Sequence, residues 1–122
     1  MIIAFDFDGT LVKDEVPGIG PADDEMITLA RVLGLLGHEI ILWSSRAEPR
    51  LTEAVKWCRE HGLQFCAVNE NSPSNINKYS GDYPIPSRKV YADLYIDDRC
   101  ITYDRTEVVK KLTEMVLKGE VK

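Results

Sequence analysis

The sequence lacks any apolar run that approaches the roughly 20 residues needed for a membrane-spanning helix. It also lacks a leader-like start. Residues 1–5 are apolar, but they run directly into two aspartates, which is too short and too acidic a pattern for a signal peptide. These two absences predict a cytoplasmic protein with no membrane partner.

An excess of positive charge is missing as well. The 122 residues carry 15 lysines and arginines against 20 aspartates and glutamates, which gives a formal charge of −5. A negative protein repels phosphate backbones and anionic lipids, so broad nucleic-acid binding is not expected. A small local basic pocket remains compatible with this balance.

Cysteine is scarce. The three cysteines, Cys58, Cys66 and Cys100, are odd in number and show no Cys-x-x-Cys spacing. Neither a disulfide framework nor a zinc site is therefore indicated. Because cysteine is among the most buried residue types, we expect three buried free thiols.

Four short apolar runs rich in β-branched residues alternate with segments whose apolar residues recur at helical spacing. The predicted strands are residues 2–5, 40–43, 65–68 and 94–96, and the predicted helices are residues 21–36, 51–61 and 105–118. This order is typical of an α/β fold, and the length suits one domain, 1–122, with a three-layer Rossmann-like parallel sheet and helices on both faces. Residues 69–87, rich in Asn, Ser, Pro and Gly without periodicity, are predicted to be a long loop.

Polar clusters follow three of the predicted strands. Asp6 and Asp8 end the first, residues 44–46 (Ser-Ser-Arg) end the second, and Asp97 and Asp98 end the last. In an open parallel sheet the carboxyl ends of the strands form the ligand crevice, so these residues should converge. Carboxylates held close together are costly unless a cation neutralises them, and a group of carboxylate oxygens suits Mg²⁺. The sequence therefore predicts a magnesium site at this edge of the sheet.

The same motifs resemble those of a known family. The segment DFDGT after the first strand, Ser44 after the second, and Lys89 before the IDD of the last resemble the four motifs of the haloacid dehalogenase superfamily. The stretches ILWSSR, AVNEN and KVYADLYIDDR are similar to a small group of capless bacterial and phage members. Relatives often carry a cap domain after the first motif or between the second and third, but neither interval has room for one here, so no cap domain is expected.

The resemblance implies a phosphohydrolase that works through a phospho-aspartate. Asp6 would be the nucleophile, and Asp8 would be first the general acid and then the general base. Ser44 would donate a hydrogen bond to the phosphoryl group. Lys89 would pair with the nucleophile and the phosphate, with Lys78 as a rival for that role. The aspartate at position 8 indicates a phosphatase or phosphomutase rather than a dehalogenase or an ion pump.

The resemblance also implies Mg²⁺ as the cofactor. Asp6 and Asp98 would bind the ion directly, and Asp8 would offer its backbone carbonyl. Asp97 would bind through water or orient Lys89. Which of the two adjacent aspartates is the inner ligand stays open at this point.

Residues beside the motifs are candidate substrate contacts: Thr10, Ser45, Arg46 and Asn69. Thr10 is expected mainly to steady the loop after the first strand. The predicted loop 69–87 leaves the same edge of the sheet, so we expect it to cover part of the site and to influence substrate choice. The substrate would be a phosphorylated molecule of unspecified identity, and a homo-oligomer is left open.

Two functions of another class compete with a phosphatase. A phospho-acceptor domain of the response-regulator receiver kind uses similar residues, but there the acidic pair ends the first strand, whereas here it ends the last. A non-catalytic relative kept as a regulatory binding module would be expected to lose Asp6, Asp8 or the acidic pair, and all are present. Repeated turnover of a simple phosphate ester would distinguish an enzyme from either.

Overall fold

The computed structural model describes residues 1–79 and 87–119. Its strands are β1 (Ile2–Phe5), β2 (Glu39–Leu42), β3 (Ala67–Val68) and β4 (Leu94–Ile96), and its helices are α1 (Asp24–Leu35), α2 (Arg50–Glu60), α3 (Pro73–Tyr79) and α4 (Arg105–Lys118). The strands form one parallel sheet in the order β3-β2-β1-β4, which confirms the predicted α/β fold. Of the helices described, none is long and apolar enough to cross a membrane.

The first face of the sheet carries the larger part of the core. All four residues of β1 are buried, which explains why its sequence is a continuous apolar run. We call the face to which Ile3 and Phe5 point the first face; α1, α2 and α4 cover these two side chains there. The helical side chains of this cluster are Met26, Ile27, Ala30, Leu33, Ala54, Cys58 and Leu112.

The opposite face carries a smaller apolar cluster and the remaining helix. The members of this cluster are Ile2, Ala4, Ile41, Ala67 and Val90. In α3, Ser74 Oγ donates to Glu39 Oε2 at 2.6 Å, and Glu39 points to the same side of β2 as Ile41. Helices therefore lie on both faces of the sheet, and the described residues form a three-layer arrangement without an added cap.

The predicted element bounds agree with the structure within three residues, except in the segment after β3. There the predicted loop 69–87 is wrong in part, because α3 occupies Pro73–Tyr79. No residue of α3 is buried, so no apolar periodicity marks it in the sequence. Ser72 and Pro73 do carry a helix-start signal, since Ser72 Oγ accepts a hydrogen bond from the N–H of Asn75 at 3.3 Å. Residues 80–86 of the predicted loop lie outside the described residues.

The prediction of three buried thiols is correct for one cysteine and wrong for two. All three are free, but only Cys58, on the inner side of α2, is buried. Cys66 immediately precedes β3, the strand at one edge of the sheet, and Cys100 lies in the bend after β4. Both lie outside the helices and strands, in connecting segments, where side chains are more often exposed.

Candidate active site

Two acidic strand ends meet at the carboxyl edge of the sheet. Asp6 directly follows β1, and Asp97 and Asp98 directly follow β4, which pairs with β1 in parallel. The N–H of Asp6 donates to the carbonyl of Ile96 at 2.9 Å, which extends the strand pairing to the site itself. One oxygen from each of the three carboxylates lies within 4.8 Å of the others. The structure thus brings together the two acidic motifs, as the parallel topology predicts.

Gly9 and Thr10 shape the base of this acidic cluster. Gly9 has a φ of +89°, and a Cβ there would overlap the carboxylate of Asp98, so another residue would displace that carboxylate. Thr10 is 2% exposed, and its hydroxyl accepts from the N–H of Asp98 at 3.1 Å and donates to Oδ2 of Asp6 at 3.2 Å. Thr10 therefore steadies both acidic motifs, in line with its expected role in the loop, and its contact with substrate stays a prediction.

The environment of Asp6 fits a bound cation. Burial raises the pKa of Asp6 to about 8, and the charge of Asp97 and the hydrogen bond with Asp98 add to the rise, while the hydrogen bond from Thr10 lowers it. A divalent cation held by the three carboxylates would act in the opposite direction, because metal binding favours the ionised form of its ligands. A donor set made of carboxylate oxygens suits a hard divalent cation rather than a softer metal.

Ser44 follows β2 and is held by Asn69, which follows β3. The Asn69 side chain accepts from the N–H of Ser44 and donates to its carbonyl, both at 2.8 Å. Asn69 has a φ of +54°, a conformation that asparagine tolerates better than most residues. The side chain of Asn69 therefore fixes the backbone of Ser44, and this contact takes the place of the predicted contact with substrate.

The hydroxyl of Ser44 keeps its capacity to donate. Ser44 Oγ accepts a hydrogen bond from the N–H of Arg46 at 3.1 Å. A hydroxyl that accepts one hydrogen bond can still donate its proton to another group. The role predicted for Ser44, donation to a phosphoryl oxygen, is therefore compatible with its contacts.

Asp8 and Arg46 form a bidentate ion pair beside the acidic cluster. Nε and Nη2 of Arg46 donate to the two carboxylate oxygens of Asp8 at 2.8 and 2.7 Å. Only 4% of the Arg46 side chain and 14% of the Asp8 side chain are exposed. The guanidinium carbon also lies 5.2 Å from the centroid of the Phe7 ring. Arg46 is thus engaged with Asp8 and Phe7 within the protein, and its role as a substrate contact stays a prediction.

A cavity of about 660 Å³ opens beside these groups. Its lining residues are Asp6, Asp8, Asp14, Val16, Trp43, Ser44, Ser45, Asp97 and Arg99. Asp97 lines the cavity, whereas the carboxylate of Asp98 lies against Gly9. Of the two, Asp97 is therefore more accessible to an ion in the cavity, although the sequence resemblance implies Asp98 as the direct metal ligand.

Two residues that line the cavity, Asp14 and Val16, were not among the candidates from the sequence. The available signal is their position in the Gly- and Pro-containing stretch directly after the first motif.

The predicted active-site lysines lie elsewhere. Lys89 is exposed, and its Nζ lies 5.0 Å from the ring centroid of Tyr95, so the predicted pairing with Asp6 is absent. Nζ of Lys78 lies 5.3 Å from the ring centroid of Tyr79 in α3. Among the cavity-lining residues of the described chain, Arg99 is the one cation, and its side chain is 81% exposed. No described residue of the segment 69–79 lines the cavity either, so the predicted covering of the site is not seen there.

Together, the fold and the site define a small α/β protein with a carboxylate cluster, suited to a divalent cation, at the carboxyl edge of a parallel sheet. A solved structure of a conserved protein from Bacteroides thetaiotaomicron is similar over 99% of this chain and 93% of that chain, with 36% sequence identity and a TM-score of 0.76. The chain belongs to the same family as that Bacteroides protein. No protein-family model matches the chain, and no curated protein matches it significantly.

Proposed function

We propose that the protein is a Mg²⁺-dependent phosphohydrolase of the haloacid dehalogenase superfamily that forms a phospho-aspartate on Asp6. The observation that carries the proposal is the cluster of Asp6, Asp97 and Asp98, whose carboxylate oxygens lie within 4.8 Å of one another beside a cavity that Ser44 also lines. A site of this kind can hold a divalent cation and a phosphoryl group together. The DFDGT motif supports the same chemistry.

In the first step, an oxygen of Asp6 attacks the phosphorus of a phosphate ester. A bond forms between this oxygen and phosphorus, and the bond between phosphorus and the leaving oxygen breaks. Asp8, a carboxylate in its pair with Arg46, first takes up a proton from solvent on a lone pair that Arg46 leaves free; the leaving oxygen then takes this proton and departs as an alcohol. Ser44 donates a hydrogen bond to a phosphoryl oxygen, which keeps phosphorus in line with Asp6.

In the second step, water attacks the phosphorus of the phospho-aspartate while Asp8 accepts a proton from that water. The bond between phosphorus and the Asp6 oxygen breaks, which releases inorganic phosphate and restores the carboxylate. Each oxygen of Asp8 has two lone pairs, and Arg46 occupies one on each. Arg46 thus orients Asp8 and leaves lone pairs available for proton exchange.

The residues that would hold the metal ion are Asp6, Asp97 and Asp98. A bound Mg²⁺ supplies positive charge that offsets the charge on the phosphoryl oxygens. Asp98 is anchored by the hydrogen bond from its N–H to Thr10, and Asp97 by the hydrogen bond that its carboxylate accepts from the N–H of Arg99 at 2.9 Å. These contacts orient the ligands in advance, which lowers the cost of binding the ion.

The proposal predicts repeated turnover of a phosphate ester. The purified protein with Mg²⁺ would be assayed for inorganic phosphate against nucleotides, sugar phosphates, phosphopeptides and 4-nitrophenyl phosphate. We expect many equivalents of phosphate per protein from at least one of these classes, and none from a matched Asp6→Asn protein. A protein that binds Mg²⁺ but turns over no member of the panel would contradict the proposal.

A phospho-acceptor or regulatory module with little or no turnover is the second candidate. It is favoured by the position of Lys89 away from the cavity and by the engagement of Arg46 with Asp8, which together leave few cations for a phosphoryl group. Rapid mixing with an activated phosphate ester separates the two functions. A module releases about one equivalent of leaving group and stops, whereas an enzyme continues at a steady rate.

Removing the contact between Asn69 and Ser44 is expected to weaken catalysis. Asn69→Ala and Asn69→Gly both lose two hydrogen bonds to the Ser44 backbone, which should lower kcat/KM about 10-fold. Glycine accepts a φ of +54° more readily than alanine, so the alanine variant should be less stable by about 1 kcal/mol. Steady-state kinetics and thermal unfolding measure the two effects separately. Wild-type kinetics in the glycine variant would show that Ser44 is held without Asn69.

A further inference from the structure

Residues 13–20 form an exposed segment beside the cavity. At its base, the N–H of Lys13 donates to the carbonyl of Pro21 at 2.9 Å. Its first six residues are exposed, and its burial is confined to Ile19, which packs against the core, and to Gly20. The contact of Asp14 with Arg99, at 3.7 Å, joins two exposed side chains and contributes little to its position. The exposed residues 14–18 therefore need a further polar contact to fix their position.

That contact is made by Arg46. Its Nη2 donates to the carbonyl of Gly18 at 2.7 Å, and its Nη1 donates to the carbonyl of Pro17 at 3.4 Å. The same guanidinium makes the bidentate pair with Asp8, and the arginine side chain is only 4% exposed. Charge-assisted hydrogen bonds in a buried place are stronger than exposed ion pairs. One side chain therefore connects Asp8 to the main chain of the segment 13–20.

We infer that Arg46 is a positioning residue that keeps the segment 13–20 in place as one wall of the cavity, and that this wall selects the leaving group of the substrate. The inference rests on the proposed function. Val16, which is 59% exposed, and Asp14 line the cavity from this segment. Without Arg46 the carbonyls of Pro17 and Gly18 would lose their hydrogen bonds to a buried side chain, and the exposed part of this wall would be less well fixed.

The chemistry of the cavity lining gives the class of substrate. Val16 and the half-buried Trp43 offer apolar surface to the part of the substrate that lies beyond the phosphoryl group. Asp14 lies 3.7 Å from Arg99, the one cation among the described lining residues, so the lining offers no unpaired cation to a second phosphate. The lining therefore favours a phosphate ester with an apolar or aromatic leaving group over one that carries a further phosphate.

The test compares Arg46→Lys with Arg50→Lys, a matched change at an exposed arginine that pairs with Glu53. Lysine keeps the charge but cannot make a bidentate pair and reach the segment 13–20 as well. Each variant is assayed with 4-nitrophenyl phosphate, which has an aromatic leaving group, and with glycerol phosphate, which has a compact polar one. For Arg46→Lys we expect kcat to fall about 10-fold with both esters, because Asp8 is less well oriented, and KM to rise about 5-fold with the aromatic ester alone. Arg50→Lys should match the wild type.

A second measurement does not depend on activity. A glutamate-specific protease cuts after Glu15 when the segment opens away from the protein, so this cut should be about 10-fold faster in Arg46→Lys and unchanged in Arg50→Lys. Asp8→Asn removes the ion pair that orients Arg46 and is therefore also expected to speed the cut after Glu15. If Arg46→Lys does not fold, the protease test can be made with Asp8→Asn instead. Val16→Ser should raise KM for the aromatic ester without affecting the segment's attachment.

The outcomes separate this inference from the proposed function. A wild-type rate of cutting after Glu15 in both Arg46→Lys and Asp8→Asn would overturn the positioning role of Arg46. Equal KM values for the aromatic ester in the wild type and in Val16→Ser would overturn the role of the wall in selection. If the wild type hydrolyses neither these two esters nor any member of the wider panel, the proposed function fails, and the protease measurement still decides whether Arg46 holds the segment.

Discussion

Replacing Asp6 with asparagine is expected to abolish turnover of every phosphate ester that the wild type accepts. The amide cannot attack phosphorus, so no phospho-aspartate forms. The carboxylate cluster also loses one of its three members, which weakens metal binding. Release of inorganic phosphate, followed with the wild type and the variant side by side, measures the loss.

The same change is expected to stabilise the metal-free protein at neutral and alkaline pH. In the folded protein, burial raises the pKa of Asp6 from 3.8 to about 8. Between these values the folded state keeps a proton that the unfolded state has lost, so the free energy of unfolding falls as pH rises and levels off above pH about 8. Asparagine carries no such charge. The free energy of unfolding of the Asp6→Asn protein should therefore exceed that of the wild type by about 1–3 kcal/mol near pH 8, allowing for solvent screening, and should equal it below pH about 4.

Urea unfolding in the presence of a chelator, at several pH values, measures this effect. Asp24→Asn is the matched control, since Asp24 is an exposed carboxylate in the first turn of α1, away from the cavity. It should leave both turnover and the pH dependence of stability close to those of the wild type. Near wild-type turnover in Asp6→Asn would rule out covalent catalysis through this residue.

Asp8→Asn, by comparison, should slow the reaction by about 10²–10⁴-fold, the usual contribution of general acid–base catalysis.

The part of the site that follows from strand topology could be predicted from the sequence. Apolar runs identify β1 and β4 as strands of a parallel sheet, and the carboxyl ends of adjacent parallel strands lie at one edge. Asp6, Asp97 and Asp98 therefore converge because of where their strands end, and no side-chain geometry is needed to predict it. The same reasoning places Ser44 at that edge.

Side-chain directions outside the strands could not be predicted in this way. Lys89 lies next to Val90, which is 1% exposed and takes the inward position, so the lysine points outward over Tyr95. Nothing in the local pattern shows which of two neighbours will be buried in such an irregular segment. The pair of Arg46 and Asp8 joins residues 38 positions apart, and it depends on how the segment after each strand turns. The sequence therefore shows where the acidic cluster lies, but not how the cations around it are arranged.

Removal of divalent metal is expected to abolish activity, and added Mg²⁺ is expected to restore it. Without the ion, nothing offsets the charges of the three clustered carboxylates and of an incoming phosphate. Ca²⁺ should inhibit, because it accepts more ligands at longer distances and disturbs the alignment of Asp6 with phosphorus. Exhaustive chelation followed by titration with each ion, with phosphate release as the readout, measures these effects.

Binding of Mg²⁺ should also depend on pH, because Asp6 must lose a proton to become a ligand. The pKa of Asp6 is about 8 in the metal-free protein, so each ion bound at neutral pH should release about one proton. The affinity should therefore rise by up to about tenfold per pH unit as pH approaches 8, and level off above it. Calorimetric titration in two buffers with different ionisation enthalpies counts the protons. Asp6→Asn, as the control, should bind more weakly and release none. Because burial raises the pKa of Asp6 to about 8, a pH-independent affinity would remove Asp6 from the metal site even if the protein required Mg²⁺ for activity.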